Sequence, residues 1–148
     1  MRQQQIGRPV EVLLVEDNPG DARLTEIALQ AGRICNRLHL VTDGEEAMAF
    51  LRRQGPHADA PRPDIILLDL NLPKKDGREV LAEIDADAGL RQIPVVVLTT
   101  SRRDADLLRT FDLGAKFHIV KPVDIEQLIG AIRFVDGYWS GIVEPPGD

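Results

Sequence analysis

The chain has 148 residues, 43% of them hydrophobic and 28% charged, with a formal net charge of −6. That length suits one domain with its own core. The acidic balance argues against a nucleic-acid surface, so no DNA partner is expected. No apolar stretch approaches the roughly 20 residues that span a bilayer, so no membrane partner is expected either. The start, Met1 to Gln5, lacks the apolar core of a signal peptide. The single cysteine, Cys35, excludes an internal disulfide and fits a reducing cytosol. A cytoplasmic protein is therefore expected.

Apolar runs alternate with helical patterns along the chain, the signature of a parallel sheet with crossover helices. A first strand is predicted at Val10–Val15. Asn18 and Pro19 then offer a cap and a first-turn proline for a helix whose apolar positions are Leu24, Ile27, Ala28 and Ala31, with Gly32 as its stop. A second strand follows at Arg37–Val41, and a second helix carries Ala47, Phe50 and Leu51 before Gly55 and Pro56 end it. The segment from Gln54 to Pro63 reads as a long loop. A third strand is predicted at Ile65–Leu70, and a third helix carries Val80, Leu81 and Ile84. The fourth strand, Val95–Thr99, precedes a helix marked by Leu107, Leu108 and Phe111 and stopped near Gly114. The fifth strand, Phe117–Val120, leads to the clearest stripe of all, Ile125, Leu128, Ile129 and Ile132, with Asp124 as its N-cap.

Five such units make a doubly wound α/β fold, flavodoxin-like, with right-handed crossovers and strand order 2-1-3-4-5. Residues 1–8 read as an N-terminal extension, 9–135 as the domain and 136–148 as a tail. That tail is too short for an output domain of its own, so any downstream signal is expected to pass through protein contacts.

In a sheet of this kind ligands sit at the carboxyl ends of the strands. Four of the predicted strands end in polar groups. Glu16 and Asp17 follow the first, Asp69 the third, Thr99 closes the fourth, and Lys121-Pro122 follows the fifth. Carboxylates crowded together repel one another, and a hard divalent cation with oxygen ligands relieves that repulsion. Mg²⁺ is the natural candidate, held by Glu16, Asp17, Asp69 and the backbone carbonyl of Asn71. An aspartate is ionised at neutral pH and needs no general base to act as a nucleophile. Asp69 is thus a candidate phosphoryl acceptor, with Thr99 and Lys121 as donors to the phosphoryl oxygens.

These residues resemble those of the response-regulator receiver family of two-component signalling. The resemblance rests on Val15-Glu16-Asp17-Asn18, on Leu68-Asp69-Leu70-Asn71-Leu72-Pro73 with Asp76-Gly77, on Val97-Leu98-Thr99-Thr100-Ser101 and on Lys121-Pro122. It covers about residues 9–135. It implies a phosphoacceptor at Asp69, a metal site at Glu16 and Asp17, a phosphoryl-sensing Thr99, the signature Lys121 and a cis bond before Pro122. It also implies a signalling protein rather than an enzyme, one that assists its own phosphorylation and dephosphorylation. Glu16 stands where the family more often has Asp. His118 stands where many members have a switch Tyr or Phe, either as a functional residue or as an ordinary half-buried imidazole.

A narrower resemblance links the long loop before Pro63, the Leu98 to Ser101 run and the tail motif Gly137-Tyr138-Trp139 to the single-domain regulators paired with bacterial and cyanobacterial phytochromes. It implies a sensor histidine kinase, a bacteriophytochrome, as partner, docking around the first helix. A homodimer is also expected, built from the last strand, the final helix and a tail that carries Tyr138 and Trp139. Two other functions compete. A magnesium phosphatase of the haloacid dehalogenase class also uses an Asp nucleophile, but it has a second Asp two residues on, where this chain has Asn71. A flavin-binding carrier of similar fold needs a phosphate-cradling loop after the first strand, where this chain has two acids.

Overall fold

A computed structural model describes residues 9–32, 35–100 and 113–134. In chain order these form β1 (Val10–Val15), α1 (Pro19–Ala31), β2 (Asn36–Val41), α2 (Gly44–Arg52), a single 3-10 turn (Gly55–His57), β3 (Ile65–Asp69), α3 (Gly77–Ala86), β4 (Val95–Thr99), β5 (Phe117–Val120) and α4 (Ile125–Phe134). The helix expected around Leu107 to Phe111 and the tail with Tyr138 and Trp139 lie outside the described residues.

All the pairings are parallel and the strand order is β2-β1-β3-β4-β5. The three central strands are buried along their whole length. Their side chains alternate between two cores. Val10, Val12, Leu14, Ile65, Leu67, Val96 and Leu98 meet residues of α1 and α4, including Leu29, Leu128 and Ile132. Leu13, Val15, Ile66, Leu68, Val95 and Val97 meet residues of α2 and α3, including Phe50, Val80 and Ile84. A strand covered on both faces has no solvent side, which is why these segments read as unbroken apolar runs. β2 lies at an edge and is largely half-buried or exposed, with Leu40 48% exposed.

Helix faces depart from the sequence pattern in two places. In α1 the buried residues are Ala22, Thr25, Ala28 and Leu29, while Leu24 and Ile27 are each 43% exposed. In the same helix the Asp21 carboxylate accepts a hydrogen bond from Lys121 at 3.0 Å. The buried face of α1 runs through Ala22, Thr25, Ala28 and Leu29, with Asp21 half-buried at its rim. Thr25 satisfies its hydroxyl on the Asp21 carbonyl, 3.1 Å away. In α4, Leu128 and Ile132 are buried but Ile125 is 41% exposed. The second helix ends two residues before the expected glycine, because Arg53 itself adopts the left-handed conformation (φ 56°).

Two glycines hold the loop between β3 and α3 against its neighbours. Gly77 starts α3 so close to β3 that a Cβ there would overlap the Asp69 carbonyl oxygen and lie 2.6 Å from the Leu70 Cα. Gly44 starts α2 against the same loop, where a Cβ would overlap the Lys75 carbonyl oxygen. Asp43 caps α2 through the Glu46 amide and faces Lys74 at 3.6 Å. The obstacle is backbone in both cases, so the loop must shift to accept any side chain. Gly44→Ala is therefore expected to destabilise the protein by about 1–3 kcal/mol, the usual scale of overpacking. Urea unfolding checks this, and an unchanged midpoint would mean that the loop is not clamped.

Candidate metal and phosphoryl site

Every strand end that the sequence singled out arrives at one edge. Glu16 follows β1 with its N–H bonded to the Val41 carbonyl of β2, which fixes where its side chain starts. Asp69 is the last residue of β3 and pairs in register with Leu98, one residue before Thr99. Lys121 donates its backbone N–H to the Thr99 carbonyl at 2.8 Å, which brings the end of β5 beside the end of β4. The Lys121-Pro122 bond is cis. Thr99 and Asp69 are buried, Glu16 is buried to 1% exposure, and Asp17 is exposed.

One oxygen from each of Glu16, Asp17 and Asp69 lies within 4.8 Å of the others. The Lys121 ammonium, its side chain 8% exposed, sits 2.7 Å from Glu16 Oε1, 3.0 Å from Asp21 Oδ2 and 3.3 Å from Asp69 Oδ2. Asp69 Oδ1 accepts the Asn71 N–H at 3.2 Å, and Glu16 Oε2 accepts the Asn18 N–H at 3.2 Å. Burial, reinforced by the negative charge of Asp69 and opposed by Lys121, pushes the Glu16 carboxyl up to about 7. For Lys121, burial alone would lower the ammonium, but Glu16, Asp21 and Asp69 together push it up to about 12. One buried lysine therefore cannot fully compensate this group of acids. A hard divalent cation suits the remaining charge, and the donor set, all carboxylate oxygen, fits Mg²⁺ or Mn²⁺.

The structure thus gathers Glu16, Asp17, Asp69 and Lys121 and sets Asn71 beside Asp69. His118 lies on β5 opposite Val97, half-buried, and burial lowers its imidazole below the ordinary histidine range. The residue that sequence reasoning missed is Asp21. It reads as one more acid in a helix first turn, and the 100 positions between it and Lys121 hide the contact.

The family model for the response regulator receiver domain matches residues 12–133. The chain belongs to that family. Response regulator Rcp1 of Synechocystis is 44% identical over 138 residues, covering 93% of this chain and 94% of the relative. The crystal structure of the Mn²⁺-bound form of Rcp1 superposes with a TM-score of 0.76 at 43% identity, covering 94% of this chain and 100% of that one. The phosphorylated cyanobacterial phytochrome response regulator RcpA also superposes at 0.76, with 45% identity and coverage of 94% and 99%. The receiver assignment leaves the phosphatase and flavin-carrier readings without support.

The Glu16 carboxyl gives the metal-free receiver a specific pH dependence. In an unfolded chain it titrates near 4.5, and in the folded protein near 7. A group raised on folding binds its proton more tightly in the native state, so its stabilising contribution is complete below pH 4.5. It is lost as the pH rises through 7. Gln at this position mimics the protonated form at every pH. Wild type in EDTA should therefore fall behind Glu16→Gln by about 1–3 kcal/mol between pH 4.5 and 7. Urea unfolding at stepped pH checks this, and a difference that stays flat across the window contradicts it.

Proposed function

We propose that this receiver takes a phosphoryl group from a sensor histidine kinase onto Asp69 and signals, in the cytoplasm, through protein contacts. The observation that supports it most is the placement of Lys121 Nζ 3.3 Å from the buried Asp69 carboxylate, beside the Glu16 and Asp17 oxygens. An Asp69 carboxylate oxygen attacks the phosphorus of a phosphohistidine or of a small acyl phosphate. The bond from phosphorus to the donor breaks with its electron pair on the leaving group. A carboxylate such as acetate departs as the anion, and an imidazole takes its proton from solvent. Because the acyl phosphate needs no kinase, the receiver assists its own phosphorylation. Glu16, Asp17, Asp69 and the Asn71 carbonyl would hold Mg²⁺, which would neutralise charge on the phosphoryl oxygens. Asp17 is the better placed direct ligand, since it is exposed while Glu16 is committed to Lys121 and the Asn18 amide. Thr99 donates to one phosphoryl oxygen and Lys121 to another, with His118 on β5 as the residue that follows the change.

Similarity to the phytochrome response regulator RcpA supports a phytochrome as the kinase. The exposed Leu24 and Ile27 give α1 an apolar face on which such a partner can close. Within this reading residues 9–135 are the receiver and 136–148 a tail. Phosphate incorporation from acetyl phosphate with Mg²⁺, followed by mass spectrometry, tests the assignment. Wild type should gain one acid-stable, hydroxylamine-labile phosphate and Asp69→Asn none. Equal incorporation in the variant would sink the assignment.

The tail is the candidate for self-association. Tyr138, Trp139, Ile142 and Val143 are large, mainly apolar groups close together in sequence, and such groups usually need a surface to cover. The edge strand β5 and the adjacent α4 complete a self-complementary face, the common form for a homodimer. Deleting residues 137–148 is expected to shift the protein to monomer with its circular dichroism unchanged. Sedimentation velocity reads the outcome, and a wild type that is monomeric with and without phosphate would refute the dimer.

A further inference from the structure

We propose that Asp21 is a positioning residue, the partner that Lys121 holds before phosphorylation and gives up after it. The inference rests on the phosphoacceptor reading of Asp69. A lysine ammonium has three N–H donors. Three carboxylates, Glu16, Asp21 and Asp69, lie within 3.3 Å of Lys121 Nζ, and the ammonium donates a hydrogen bond to Asp21 at 3.0 Å. On phosphorylation the Asp69 contact passes to the phosphoryl oxygens, which lie farther out, so Lys121 follows them only by releasing Glu16 or Asp21.

Solvent access decides which. The Glu16 side chain is 0% exposed, and without Lys121 it would be a buried carboxylate missing its cation. That is among the more costly arrangements in a protein interior. The Asp21 side chain is 34% exposed, so water replaces the lost ammonium. Asp21 is therefore the partner that releases at least cost. Its position does not depend on the contact, because its backbone N–H is held by Asn18 Oδ1 at 2.9 Å whatever its side chain does. Release leaves an uncompensated carboxylate in the first turn of α1, the helix that exposes Leu24 and Ile27. Phosphorylation at the end of β3 is thereby written as a lost ion pair on α1.

Asp21 and the phosphoryl group compete for one cation, so removing the competitor should favour phosphorylation. With acetyl phosphate and saturating Mg²⁺, Asp21→Asn should be phosphorylated about three- to tenfold faster than wild type. Asp21→Glu, which keeps the charge, should stay near the wild-type rate. In a Lys121→Ala background Asp21→Asn should change the rate little, because the competition is gone. An unchanged rate in Asp21→Asn overturns the proposal, and so does the same acceleration with Lys121 absent, which would mean a general field effect. Asp21→Ser gives the same comparison should Asp21→Asn unfold. A wild type that takes up no phosphate sinks the phosphoacceptor reading and this proposal with it. A wild type labelled at Asp69 with an unchanged Asp21→Asn sinks this proposal alone.

Discussion

The structure of this site turns on a single ammonium shared among carboxylates. Lys121 is drawn by Glu16 from β1, Asp69 from β3 and Asp21 from α1, while its own backbone is tied to β4 through Thr99. Elements from well-separated stretches of the chain are thereby held at one point. Isolated buried acids would take up protons or swell the site open. The lysine keeps them together, yet one positive charge among so many acids leaves the site short of cation. That deficit is what makes the place receptive to a divalent ion and, through it, to a phosphoryl group.

Much of this is legible in the sequence because parallel sheets confine their chemistry. Strands buried on both faces cannot carry charge along their length, so polar residues collect where the strands stop. The runs Val12 to Val15, Ile65 to Leu68 and Val95 to Leu98 announce β1, β3 and β4, and the acids and Thr99 that follow them fall on the same edge. The strand order then places β1, β3 and β4 side by side. The order follows from a rule of handedness, not from any one residue.

What the sequence conceals is orientation. Leu24 and Ile27 look like core positions in α1 because apolar spacing says only that a stripe exists. It does not say which stripe faces inward when small residues offer a rival. Here Ala22, Thr25, Ala28 and Leu29 win, since the helix packs close to the sheet and to α4, with Gly32 against Ile129. The ion pair from Asp21 to Lys121 is invisible for the related reason that it joins distant segments. The early stop of α2 at Arg53 belongs to the same class. A left-handed non-glycine residue is chosen by the surrounding packing and leaves no mark of its own in the sequence.

These hidden features are connected. α1 carries both Asp21, which reaches Lys121, and the exposed Leu24 and Ile27, so the acid cluster and this apolar surface share one helix. The chemistry at the sheet edge and the exposed apolar residues of α1 are thus joined through one helix. A change of charge at Asp21 needs no long-range rearrangement to be felt there, because Leu24 is less than one turn away along the same helix.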